Sequence, residues 1–270
     1  FNGNVYVGYT TPLSPSGLYA LDANTGNLLW NSTINIGGTL TSTPTAVAGY
    51  VVVSEFLTGV HVFNAANGNH IWSNGSLPSE NPLVTGGVVY IGDETTLLRA
   101  YNLATGSTIW QNNTFPDNQS APVMANNIIY VNGQFKMHAI NKTDGSILWT
   151  SPSMGGGNNG VGKFSSPAIS LSDTSLYAGN NDGFTYCLNL NTGARKWLYP
   201  SDGQITTKPN PVAANGIVVV ARGNNSLYAL STKSGTLIWK FTASGSIKTD
   251  PCMTDNGGNV YYTGNSGNNN

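Results

Sequence analysis

Charge is what this sequence has least of. Asp, Glu, Lys and Arg make up 9% of the 270 residues, and the net charge is −1, against roughly 25% charged residues in an average soluble domain. Nucleic acid calls for a basic footprint that this chain lacks, so it is excluded as a partner. The first 98 residues contain no Lys or Arg, while Asp22, Glu55, Glu80, Asp93 and Glu94 fall among them. Cysteine is nearly absent too. Cys187 and Cys252 cannot make a disulfide framework and lack metal-ligand spacing, so both are expected as small buried residues in strands. No apolar run is long enough to cross a membrane as a helix, no signal segment is visible, and no stretch carries a 3.6-residue apolar period.

What the chain has in quantity is Asn (35 residues), Gly, Ser, Thr and aromatics at 10%. They are arranged in a repeat. Six segments share one pattern: ALDANTGNLLW, VFNAANGNHIW, AYNLATGSTIW, AINKTDGSILW, CLNLNTGARKW and ALSTKSGTLIW. They end at Trp30, Trp72, Trp110, Trp149, Trp197 and Trp239, which are all the tryptophans present. Four residues before each stands Gly26, Gly68, Gly106, Gly145, Gly193 or Gly235. A proline runs in register (Pro44, Pro82, Pro122, Pro167, Pro211 and Pro251), and the tryptophan spacings are 42, 38, 39, 48 and 42. That is the period of a four-stranded propeller blade.

Each repeat reads as four strands. A short strand follows the proline, then a β-branched run such as Tyr50-Val51-Val52-Val53, then an alternating strand such as Leu18-Tyr19-Ala20-Leu21. A Gly-containing turn supplies a positive φ, and the last strand ends in Trp. No blade can bury its faces alone, and the fixed Trp reads as a wedge between neighbours. The expected fold is an all-β propeller, a single domain over residues 1–258, with 259–270 a surplus strand and an Asn/Gly-rich polar tail.

The pattern Ala-x-Asp/Asn-x-x-Thr-Gly-x-x-x-Trp resembles the tryptophan-docking repeat of the quinoprotein-type propellers. That superfamily includes pyrroloquinoline-quinone dehydrogenases and the BamB-like lipoproteins of outer-membrane barrel assembly. The resemblance spans nearly the whole chain, with Val62 and Cys187 replacing the Ala and Ser231 the Asp/Asn. Relatives are often eight-bladed, and this chain offers about six and a half repeats. Six blades are favoured, with the strand after Pro251 completing the N-terminal blade. A seven-bladed ring, or a fragment of an eight-bladed one, is the alternative.

The resemblance implies, for a dehydrogenase, a quinone cofactor beside two adjacent cysteines and a calcium ion. Cys187 and Cys252 are 65 positions apart and no acidic cluster has calcium-ligand spacing, so no enzyme, cofactor or metal is expected. His61 and His138 replace the Tyr of other repeats and read as partly exposed strand positions, while His70 sits in another register. Gly155-Gly156-Gly157 lacks a following Gly-Lys-Ser/Thr; it belongs to the insertion Ser151–Lys163, expected as a surface loop. The residues before the prolines (Thr43, Asn81, Ala121, Ser166, Asn210 and Asp250) are expected near one channel mouth, a candidate site for a small polar ligand, with water the more economical filling. Sequons at Asn31, Asn74, Asn112, Asn118, Asn141 and Asn224 permit N-glycans without arguing for them.

Composition and fold together point to a non-catalytic scaffold that binds protein partners, secreted or at the cell surface, with the periplasm as the alternative. The acidic-first, basic-later charge layout suggests self-association. A BamB-like factor of envelope assembly is the second expectation, and a quinone-dependent dehydrogenase the third.

Overall fold

The computed structural model describes residues 2–11, 14–34, 40, 42–56, 58–75, 81–92, 98–114, 120–133, 135–154, 165–180, 183–200, 210–222, 225–245, 247, 250–254 and 258–263. All regular structure among them is antiparallel β. They group into two compact units. The first is Phe1–Pro122 with Thr143–Gly145, and the second is Val123–Lys142 with Ser146–Asn270.

The first unit opens with a three-stranded sheet of β1 (Asn4–Thr11), β2 (Ser14–Asp22) and β3 (Leu28–Ile34). Two four-stranded sheets follow: β4 (Thr45–Val47), β5 (Tyr50–Glu55), β6 (Gly59–Asn64) and β7 (His70–Asn74), then β8 (Leu83–Thr85), β9 (Val88–Ile91), β10 (Leu98–Asn102) and β11 (Thr108–Asn112).

The second unit holds three more four-stranded sheets. They comprise β12 (Val123–Ala125), β13 (Ile128–Gly133), β14 (Lys136–Asn141) and β15 (Ile147–Thr150); β16 (Ala168–Ser170), β17 (Ser175–Gly179), β18 (Phe184–Asn189) and β19 (Arg195–Pro200); and β20 (Val212–Ala214), β21 (Ile217–Arg222), β22 (Ser226–Ser231) and β23 (Leu237–Thr242). It ends with β24 (Cys252–Met253) paired to β25 (Val260–Tyr261).

Every sheet is a meander whose strands pair in sequence order, which is the blade of a β-propeller. The short strand after each proline is the inner edge: β4 lies beside β8 in the first unit, and β12, β16, β20 and β24 follow one another in the second. The second strand is the most buried, because blades cover it on both faces. In β5, Val51, Val52 and Val53 are fully buried, as are Val218 and Val219 in β21. Each such side chain contributes roughly 1.5–3 kcal/mol through burial.

Two expectations change here. The strand after Pro251 pairs with β25, opening a seventh sheet, rather than completing the N-terminal sheet. Cys187 is buried in β18 as expected, whereas Cys252 in β24 is exposed; both are free thiols. The insertion from 155 to 163, Asn118, Asn224 and the tail from 264 lie outside the described residues.

A repeated irregularity appears in the last hairpin of every blade. The register slips by one residue between the third and fourth strands, as where Ala20 faces Trp30 but Leu21 faces Leu28. The same slip recurs before each of the other five tryptophans. The skipped residue is the one just before Trp: Leu29, Ile71, Ile109, Leu148, Lys196 and Ile238. A bulge turns that side chain outward, and the five aliphatic ones are all exposed.

Candidate functional site

The repeat motif is spent on joining blades. Its Asp or Asn folds the turn locally: Asp22 Oδ1 accepts from Asn24 N (2.9 Å) and Thr25 N (2.8 Å), and Asn102 and Asn189 do the same for their own turns. The Gly closes the turn at positive φ. Its missing Cβ has a second use, because the indole of the preceding blade lies flat against it. A Cβ on Gly106 would stand 2.6 Å from Trp72 Cδ2, and one on Gly68 2.6 Å from Trp30 Cε3. Gly145, Gly193 and Gly235 receive Trp110, Trp149 and Trp197 in the same way. Gly26 has open space around it.

The indole N–H completes the seam. Trp30 Nε1 donates to Ala65 O at 3.0 Å, Trp72 to Leu103 O at 2.8 Å, Trp149 to Leu190 O at 3.2 Å and Trp197 to Thr232 O at 2.8 Å. Each acceptor stands three residues before the docking Gly. Two residues after Trp, another side chain reaches the Gly carbonyl: Ser32 to Gly68 O, Asn74 to Gly106 O at 3.1 Å and Asn112 to Gly145 O at 2.7 Å. The amides of two sequon asparagines, Asn74 and Asn112, are thus used inside the seam.

The pre-proline residues form a second, inner seam. Thr43 N donates to Asn81 Oδ1 at 2.9 Å in the first unit. In the second, Ser166 N donates to Asn210 Oδ1 at 2.6 Å, and Asn210 gives Asp250 two bonds, N to Oδ1 and Nδ2 to Oδ2, both at 2.7 Å. At these three junctions the backbone of one blade reads the polar side chain of the next. Ala121 has no side-chain acceptor to offer. Thr43, Asn81, Ser166, Asn210 and Asp250 thus hydrogen-bond between neighbouring inner strands.

The histidines depart from expectation. His61 and His138, expected partly exposed, are 2% and 0% exposed. His138 lies between Thr150 Oγ1 (3.0 Å) and Gly133 O (3.2 Å). Burial, countered by the Gly133 carbonyl and assisted by the Lys136 charge, brings its pKa down to about 4. His61 belongs to a chain of polar groups in the second blade that the sequence did not reveal. Glu55, 0% exposed, accepts from Thr58 N at 2.8 Å and from the Thr58 hydroxyl through Oε2. Thr58 Oγ1 lies 2.6 Å from His61 Nε2, and His61 Nδ1 lies 3.4 Å from His70 Nε2. Burial and then the neighbouring His70 bring His61 down to about 4, and burial lowers His70 as well.

Cys187 and Cys252 stand in different blades, and no group of three or more His, Cys, Asp or Glu side chains gathers as metal ligands among the described residues.

The family model described as outer membrane protein assembly factor BamB matches residues 2–76, 58–208 and 200–267. The chain belongs to this family. The outer membrane protein assembly factor BamB of Legionella pneumophila (strain Paris) is 27% identical over 153 residues, covering 56% of this chain and 36% of that protein. The chain thus matches about a third of its curated relative's length. BamB from Moraxella catarrhalis has the same fold, with a TM-score of 0.76 at 17% identity over 96% of this chain and 81% of that one. The quinohemoprotein alcohol dehydrogenase ADHIIG from Pseudomonas putida HK5 superposes at 0.64 and 17% identity, over 80% of this chain and 44% of its own. A shared propeller with an enzyme is a statement about fold, since function lives in sites added to it.

Proposed function

We propose that this protein is a non-catalytic, protein-binding propeller of the BamB type, acting in the assembly of outer-membrane proteins in the bacterial envelope. This is narrower than the scaffold, secreted or at the cell surface, expected from composition, and the BamB family membership supports it. One observation carries the binding role. The Trp, Gly, Asx and pre-proline residues are committed to holding blades together, whereas the apolar side chain that nearly every repeat leaves outside is the bulge residue before Trp. Leu29, Ile71 and Ile109 stand out in the first unit and Leu148 and Ile238 in the second, 40% to 51% exposed. The outer strands that carry them are sheet edges whose bulges discourage strand addition, so the aliphatic side chains themselves make the contact.

The test is binding of the purified chain to a detergent-solubilised complex that inserts outer-membrane barrels, compared with an I71K/I109K variant. The expected result is saturable binding, weakened at least tenfold in the variant at unchanged melting temperature. A wild-type chain that does not bind overturns the assembly role. Equal binding by the variant overturns the rim as the contact surface.

A further inference from the structure

With Glu55 as a carboxylate, the hydrogen-bond directions in the chain from Glu55 to His70 follow one from the next. A carboxylate only accepts, so the Thr58 hydroxyl proton points to Glu55 Oε2. The Thr58 oxygen is left to accept from His61 Nε2–H at 2.6 Å. His61 therefore carries its proton on Nε2 and presents a bare lone pair at Nδ1. The atom facing that lone pair is His70 Nε2, 3.4 Å away. The two nitrogens are within hydrogen-bond reach, at the long end of the range for N–H donors. Their separation also matches the edge of a tetrahedron built on metal–nitrogen bonds of about 2.0–2.1 Å, which is about 3.3–3.4 Å.

The surroundings favour a cation. Glu55 is fully buried, and its Oε1 has no hydrogen-bond partner among the described residues. A buried carboxylate is costly without a positive partner. Metal-bound imidazoles commonly pass their other ring proton to a carboxylate, which fixes the ring and raises its basicity; here Thr58 stands as the link. Phe63 packs edge-on against His70 with ring centroids 5.1 Å apart, while the other side of the His70 ring is exposed and gives an ion its way in.

We infer that His61 Nδ1 and His70 Nε2 form a two-histidine site for a divalent transition-metal ion of the zinc, nickel or copper class, with water in the remaining positions and Thr58 and Glu55 as supporting groups. Imidazole nitrogen suits these ions, and the hard ions calcium and magnesium prefer oxygen. The site is independent of the assembly role and of the outer rim.

The test uses the full, tag-free chain at neutral pH with zinc chloride alone, followed by calorimetry. One ion per chain is expected. H70Q lowers the affinity at least tenfold, and T58V by about tenfold through loss of the supporting link. H138Q and C252S bind as the wild type does, which separates this site from the third histidine and the exposed thiol. NMR of the imidazole protons needs no variant: zinc shifts His61 and His70 and leaves His138 in place. No binding at millimolar zinc, an H70Q affinity equal to the wild type, or shifts confined to His138 would overturn the site.

Discussion

The indole of Trp72 lies on the Cα of Gly106, where a methyl group would come within 2.6 Å of Cδ2, and its Nε1 donates to Leu103 O at 2.8 Å. One tryptophan thus both wedges the seam and recognises the next blade's turn. Gly106 has φ +72° and Gly26 has φ +71°, yet a methyl group added to Gly26 would meet nothing within 4 Å. The pair separates backbone strain from loss of docking. G26A is expected to cost about 1 kcal/mol, the conformational penalty alone, and G106A about 3 kcal/mol or more, because the indole must also move. Chemical denaturation of both variants measures the difference. Equal losses would show that the turn, and not the indole, demands glycine.

Removing the indole itself is the complementary experiment. W72A empties a seam and orphans the Leu103 carbonyl, with an expected loss of about 3–5 kcal/mol. W72F keeps much of the apolar area and is expected to fall between W72A and wild type. A W72F melting curve identical to wild type would mean that the hydrogen bond to Leu103 contributes nothing.

Asp250 accepts two hydrogen bonds from Asn210, whose side chain in turn serves Ser166 N. D250A is expected to destabilise the chain by about 0.5–1.5 kcal/mol, since these bonds are exposed, and D250A/N210A by less than the sum of the single losses, since the two residues share one network. Strict additivity in a double-mutant cycle would argue that the bonds act separately.

Burial holds His138 at about 4, below its ordinary 6.5. The unfolded chain binds this proton first as the pH falls, so the contribution is complete above 6.5 and is lost progressively toward 4. Its size is at most about 3 kcal/mol. His61 is held low in the same way, so the assignment rests on comparison: H138Q should show a shallower loss of stability between pH 6.5 and 4. Parallel curves for H138Q and wild type would remove His138 from the account.

The two thiols should differ sharply toward a water-soluble thiol reagent. Cys252 is exposed, whereas Cys187 is buried and its pKa is pushed up to about 11, first by that burial. One fast equivalent per native chain is expected, and a second on unfolding. Two fast equivalents in the native state would contradict the burial of Cys187.

By itself the sequence determined the all-β blades, the four strands of each repeat, the Gly turns and the role of Trp as a wedge. These follow from local rules: a period-2 alternation, a positive-φ glycine and a repeat near 42 residues each leave a mark on consecutive letters. Tertiary structure alone decided which turn each indole meets, because that partner lies 31 to 41 residues away in the next blade. It decided that the strand after Pro251 pairs forward with Val260–Tyr261, a choice between competing edges that no propensity encodes. It also turned His70 onto the face of His61. Regular pairing of β6 with β7 would set Ile71 opposite Phe63; the bulge skips Ile71 and puts His70 there. A one-residue slip exchanges the two faces of a strand, so spacing in the sequence could not show that two histidines nine positions apart would meet over a buried glutamate.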